Sequence, residues 1–224
     1  MKERPILFSG RMVRSILAGK KTQTRRLIRD QPDFAEAPKW FAMDDGSWRV
    51  VEEEYPGDGS VEYACPYGQP GDRLWVRETF AGPMDRDFSH KFAYAADTQP
   101  GSEGDRFRIA YGIKWKPSIH MPRKASRLTL EVTGVRVERL QEISETDSLA
   151  EGITCALNDS MSAGWGDPGT IPTHNNGAPL YRLRNGFRET WDFINAKRGF
   201  GWAENPWVWV MEFNHLLNPP EEKK

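Results

Sequence analysis

The chain has 224 residues, with 31 Lys and Arg against 32 Asp and Glu, and it carries 9 Trp, 11 Phe and 6 Tyr. That aromatic content excludes full disorder, and the longest apolar run, residues 207–211, is far short of the ~18 residues a membrane helix needs. Two cysteines, Cys65 and Cys155, make no disulfide framework; with no apolar leader after Met1, the expectation is a reduced, cytoplasmic setting.

In chain order, 5–8 reads as a short entry strand. Ser9 offers an N-cap, and Met12, Val13, Ile16 and Leu17 give one apolar face of a short helix closed by Gly19. Residues 21–28 suit a strand with polar residues on both faces near its start. The acidic stretch 30–66 is punctuated by Pro and Gly and predicts an insertion, with Trp40, Phe41, Trp48, Val50 and Val51 tethering it as a hairpin. A turn at 69–72 delivers the strand 73–78, with Leu74 and Val76 on one side.

Residues 81–122 read as irregular, anchored by Tyr94, Phe107, Tyr111 and Trp115. Residues 126–140 alternate apolar and polar as strands, with Gly134 predicted to kink or bulge them. Ser144 and Asp147 resemble a capping box opening a short helix that stops at Gly152. Residues 158–179 read as a mobile loop, 187–194 as an amphipathic helix, 197–202 as a loop and 206–213 as a last strand. Residues 218–224 read as a solvated tail. This order predicts an α+β chain: a small curled antiparallel β-barrel with flanking short helices.

The net charge of −1 conceals patches. Residues 1–29 sum to +8, 30–62 to −8 and 106–139 to +7. This is either ordinary clumping or a basic face for phosphates.

Familiar sites are missing. The segment 19–22 lacks the upstream glycine of a phosphate loop, and there is no G-x-G-x-x-G, H-E-x-x-H or G-x-S-x-G. His90, His120, His174, His215 and the two cysteines have no metal-ligand spacing, so neither metal nor cofactor is expected. What remains is the run 18–26. A lysine among cations has a lowered pKa and can act as a base, and a threonine beside it can be a nucleophile. On a strand Lys21 and Thr24 point to opposite faces; on a tight turn entering it they can converge. The competing reading is a solvated basic turn that contacts phosphate.

The run Ile16-Leu17-Ala18-Gly19-Lys20-Lys21-Thr22-Gln23-Thr24-Arg25-Arg26 resembles the signature of the ASCH family, a PUA-like fold. So do the turn and strand 71–76, the passage 130–153 and the closing strand 207–213, together roughly half the chain. The chain is similar to longer phage and prophage members. The resemblance implies a single domain over 1–217 with insertions at about 30–66, 81–122 and 155–185.

It also implies RNA or nucleotide binding. The family's best-defined enzymatic branch removes the acetyl group of N4-acetylcytidine, with a lysine as base, a threonine as nucleophile and a glutamate as acid. The G-[RK]-K-T-x-T signature maps the first two onto Lys21 and Thr24, and Glu151 is the counterpart of the third by position. Arg25 stands where the small enzyme carries an aliphatic residue.

Three readings follow. The first is an amidohydrolase on a modified nucleoside or nucleotide, using Lys21, Thr24 and Glu151, with Arg26 on an oxyanion or phosphate. The second is a non-catalytic binder of RNA or single-stranded DNA. Its contacts would be Lys20, Lys21, Arg25, Arg26, Arg77, Arg123, Lys124 and Arg127, with Trp75 or Trp202 stacking on a base. The third is a ribonuclease on the same basic cleft.

Overall fold

The computed structural model describes residues 1–32, 39–44, 46–51, 61–82, 92–98, 100–153 and 180–216. The expected loop 158–179, the tail 218–224, Cys155, His90 and His174 lie outside the described residues.

The elements in chain order are β1 (Glu3–Leu7), α1 (Gly10–Leu17), β2 (Gln23–Leu27), β3 (Lys39–Ala42), β4 (Ser47–Val51), β5 (Val61–Ala64), β6 (Arg73–Arg77), β7 (Phe80–Ala81), β8 (Ala93–Tyr94), α2 (Glu103–Ala110), β9 (Thr129–Arg139), α3 (Glu145–Ala150), α4 (Leu180–Asn195) and β10 (Trp207–Leu216). The chain is therefore mixed α+β, and none of the three described sheets closes into a barrel. Among the described residues no helix is long and apolar enough to cross a membrane.

The chain divides into two compact units: residues 1–19, 71–131 and 214–224 form the first, and 20–70 and 132–213 the second. The first unit holds 17 Lys and Arg against 11 Asp and Glu, a net +6, and the second 14 against 21, a net −7.

In the first unit β1 pairs parallel with β6, and β6 pairs antiparallel with the start of β9. Leu74 and Val76 are buried on the predicted side of β6, and Ile6, Val13, Ile16, Leu128 and Leu130 are buried too. Ser9 caps α1 by accepting from the Met12 amide, and Gly19 takes the left-handed conformation just past its end, at φ 68°, where a side chain would be strained. Asp72 accepts from the Lys2 amide at 2.6 Å and from Arg4 at 2.9 Å, which ties β1 to the turn before β6. The stretch 81–122, expected to be irregular, contains α2 and the short β7–β8 pair.

In the second unit β10 pairs antiparallel with β2, with Met211 opposite Thr24 and Trp209 opposite Arg26. Residues 207–211 are buried at every position, as in a strand covered on both faces. The expected hairpin is a three-stranded antiparallel sheet, β3-β4-β5. Trp40 on β3 stands 5.5 Å from Trp207 and 6.3 Å from Trp209, and Trp48 on β4 stands 6.2 Å from Trp209. The indole N–H groups of Trp40 and Trp207 are buried there without a hydrogen-bond acceptor among the described residues.

Helix α4 starts seven residues earlier than the periodicity of 187–194 suggests. Leu183, Phe187 and Trp191 pack with Leu140, Ile143, Ile153, Val208 and Val210 into one core cluster. Gly134 does not interrupt β9, which is continuous over Thr129–Arg139. A Cβ at that position would meet a carboxylate oxygen of Glu212 at 3.0 Å, so the glycine makes room for a neighbouring side chain.

Candidate active site around Lys21 and Glu151

Every residue of this site belongs to the second unit. Its position is set by the ends of short elements. Ser144 caps α3 by accepting from the Asp147 amide at 3.0 Å. The helix ends at Glu151, whose N–H donates to the Asp147 carbonyl, and Gly152 turns left-handed at φ 82°. The chain before β2 is clamped against this end. The Thr22 N–H donates to the Ala150 carbonyl at 2.9 Å, and the Thr22 carbonyl accepts from the Phe213 N–H at 2.9 Å.

Lys21 and Glu151, 130 residues apart, form an isolated antiparallel bridge. The Lys21 Nζ donates to Glu151 Oε2 at 2.6 Å and to the Glu151 main-chain carbonyl at 2.8 Å. The Lys21 side chain is 0% exposed and that of Glu151 6%.

Alternation along β2 puts Gln23 and Arg25 on one face and Thr24 and Arg26 on the other. Arg25 was expected to contact phosphate. Its guanidinium is instead fully buried among carboxylates: Nη1 donates to Glu151 Oε1 at 3.3 Å, Nη2 to Asp147 Oδ2 at 2.9 Å, and Nε to Glu138 at 2.8 Å. Gln23 Oε1 accepts from Arg25 at 2.7 Å. Arg136 on β9 extends the network to Glu138, Asp147 and Glu212 at 3.2, 3.1 and 2.5 Å. Three cations thus face four carboxylates.

These contacts perturb the titrations. Burial pushes the Lys21 ammonium below the ordinary lysine range; Glu151 opposes this, and Arg26 and Arg25 reinforce it. Burial alone would raise Asp147, but Arg25 and Arg136 more than offset it and hold the carboxyl below its usual value. A depressed carboxyl contributes stability above its unfolded value of about 3.9 and loses it as the pH falls through the folded value. Asp147→Asn is therefore expected to flatten the acid limb of urea midpoints plotted against pH. An unchanged limb would place the acid sensitivity elsewhere.

The structure brings Lys21 and Glu151 together. Thr24 is 1% exposed and lies on the other face of β2 from Gln23 and Arg25. Lys20 is exposed and Arg26 half-buried. Trp202 is half-buried against the core cluster, with the Arg184 guanidinium 5.3 Å from its ring.

The remaining expected contacts belong to the first unit. Trp75 lies 5.4 Å from the Arg77 guanidinium, which also donates to the carbonyls of Ser118 and Ile119. Arg123 pairs with Glu3 at 2.9 Å, and Lys124 is exposed. Arg127 pairs with the buried Glu78 at 2.8 Å and with Asp97, and lies 4.0 Å over the Tyr94 ring. Among the described residues no group of three His, Cys, Asp or Glu side chains could hold a metal ion.

Sequence reading missed Gln23, Arg136, Glu138, Asp147 and Glu212 as parts of the network. A signal was present. Gln23 and Arg25 alternate with Lys21, as Arg136 does with Glu138, and Asp147 occupies a capping-box position while its carboxylate serves Arg25 instead.

Neither a family model nor a curated protein matches the sequence. Among solved structures, the chain is similar to a high-resolution crystal structure of an ASCH domain from Lactobacillus crispatus JV V101, at 13% identity and a TM-score of 0.41, over 96% of this chain and 79% of that one.

Proposed function

We propose that the chain is an ASCH-type, PUA-like protein that engages modified nucleosides or RNA and hydrolyses the N4-acyl amide of an acylated cytidine. The observation that carries this reading is the buried contact, 2.6 Å long, between Lys21 of the G-K-K-T-x-T run and Glu151. A buried ion pair contributes little net stability compared with apolar packing of the same volume. Perturbed titratable groups of this kind gather where proton transfer is done.

In this reading the Thr24 Oγ attacks the acyl carbonyl carbon and Lys21, as the neutral amine, takes the hydroxyl proton. Lys21 precedes β2 as an isolated bridge, so the reading requires the chain to turn at Thr22 and bring the Lys21 amine to the face that Thr24 occupies. The tetrahedral intermediate expels the N4 amine, which receives a proton from the Glu151 carboxylic acid, leaving cytidine and an acyl-threonine ester. Water then cleaves the ester, releasing the carboxylic acid and restoring Thr24. The lowered Lys21 titration raises the fraction of neutral amine near pH 7. The short contact between Lys21 and Glu151 offers a path along which a proton can move between base and acid.

The test is release of acetate and cytidine from N4-acetylcytidine. Thr24→Val, which keeps the volume and removes the hydroxyl, is expected to lower turnover by about 10³-fold or more with the melting curve little changed. No turnover of any acylated nucleoside by the native protein would overturn the reading.

The charge division favours a second reading. A unit of net +6 suits a polyanion, so the chain would bind RNA or single-stranded DNA without chemistry. Its affinity would then fall steeply with salt as counterions are released. Salt-insensitive binding, or none, would exclude it.

A further inference from the structure

We propose that Arg25 is the positioning residue of this site, holding the Glu151 carboxylate in the one orientation that lets Lys21 exchange a proton with it. The proposal rests on the reaction assigned above to Lys21 and Glu151.

The geometry divides the Glu151 carboxylate between two cations. Oε2 accepts from Lys21 and Oε1 from Arg25. With each oxygen engaged separately, the carboxylate plane cannot rotate about its last bond without breaking one contact. A lysine alone, as a single point charge, leaves that rotation open, whereas a guanidinium presents donors in a fixed fork.

Arg25 is itself held. Asp147, one helical turn before Glu151 on α3, accepts from its Nη2, and Glu138 on β9 accepts from its Nε and Nη2. Gln23 accepts from Nη1, and Phe187 of α4 lies 5.7 Å from the guanidinium. The arginine therefore fastens two carboxylates of one short helix to strands β2 and β9. Helix α3 has six residues, too few to hold its own register, so the fork supplies a constraint the helix lacks.

From the β2 segment, Lys21 and Arg25 touch the Glu151 carboxylate, and Arg26 acts on it only through space. Asp147, Glu138 and Arg136 reach it through Arg25, and α4 contributes the apolar Phe187. Arg25 touches none of the reacting atoms in the proposed reaction and acts through Glu151.

The experiment reads Lys21 directly. Solvent exchange of the Lys21 ε-ammonium protons is followed by nitrogen-edited NMR, with the signal identified by its loss in Lys21→Met. The backbone amides of Val208 and Val210 serve as internal standards for the fold. Arg25→Met is expected to speed Lys21 exchange by about tenfold or more while those amides stay protected, because a rotating carboxylate no longer holds the ammonium. Arg25→Lys, which keeps a cation and gives up the fork, is expected to fall between the two.

Where Arg25→Met does not fold, the double variant Arg25→Met/Glu138→Gln removes one uncompensated carboxylate and takes its place, and Arg25→Lys carries the test if neither folds. Exchange at Lys21 unchanged from the native protein in a folded variant overturns the proposal. If the native protein turns over an acylated cytidine, Arg25→Met is also expected to lower kcat about 10²-fold with KM little changed. A merely structural role would leave kcat per folded molecule intact. Native protein inactive on every acylated nucleoside overturns the reaction and leaves the exchange result standing, so the two failures are separable.

Discussion

Lys21→Met is expected to abolish acyl release and to lower stability by about 3 kcal/mol, the lower end of the cost of breaking a buried pair. The lower end applies because Glu151 keeps one partner: Arg25 still donates to Oε1, and methionine fills most of the vacated volume. Glu151→Gln is expected to cost more, about 3–5 kcal/mol, because it leaves a fully buried ammonium without its carboxylate.

The pH dependence separates the two. Removing Glu151 removes the group that raises Lys21 and leaves burial, Arg26 and Arg25, which lower it. In the unfolded chain a lysine titrates at about 10.4. Between the depressed folded value and that one the unfolded chain binds more protons, so stability rises with pH across the window. Urea unfolding of Glu151→Gln from about pH 6 to 10 is therefore expected to show stability recovering toward the alkaline end. Lys21→Met has no such slope. The double variant Lys21→Met/Glu151→Gln is expected to regain most of the stability and none of the turnover. Normal turnover by folded Lys21→Met would remove the lysine from the chemistry.

Trp191→Ala is expected to lower stability by about 3–5 kcal/mol, the range for deleting a large buried ring. Trp191 is 5% exposed, and its indole N–H donates to the Phe200 carbonyl at 2.7 Å. The ring packs with Phe187, 6.1 Å away, in the cluster that also holds Ile153 and Leu183. Ile153 lies two residues past Glu151, and Phe187 lies against Arg25, so the same change loosens the backing of the site. Acyl release per folded molecule is expected to fall with the melting temperature. Trp191→Phe is expected to cost less, mainly the unpaired Phe200 carbonyl at about 1–3 kcal/mol. Unfolding curves and rates on the same samples check both. A full rate on a destabilised Trp191→Ala would confine α4 to a structural role.

What the sequence made legible was local. The Ser9 and Ser144 caps, Gly19 after α1 and the alternation of β6 each depend on residues within one or two turns of each other, and each stands where the pattern puts it. Helix α2 was not legible. Among the described residues it is held by polar contacts: Ser102 accepts from the Asp105 amide, and Asp105 pairs with Arg108 at 2.7 Å. Gly134 answers to something further off, a carboxylate of Glu212 on another strand.

The site divides along the same line. Nothing near Lys21 points to a residue 130 positions on; only the family resemblance named Glu151. Arg25 read as a phosphate contact because a run of cations looks solvated until its partners on β9 and α3 are brought beside it.

The indole groups of β3, β4 and β10 give the second unit an optical property of its own. Transition dipoles of rings 5.5–6.3 Å apart couple, and tilted pairs of this kind rotate near-ultraviolet light strongly. The unpartnered N–H groups of Trp40 and Trp207 are shielded from water, which keeps indole emission toward the blue. The seating of the β3-β4-β5 sheet on β10 is therefore written in the protein's intrinsic dichroism and fluorescence, and its loss can be followed without any added dye.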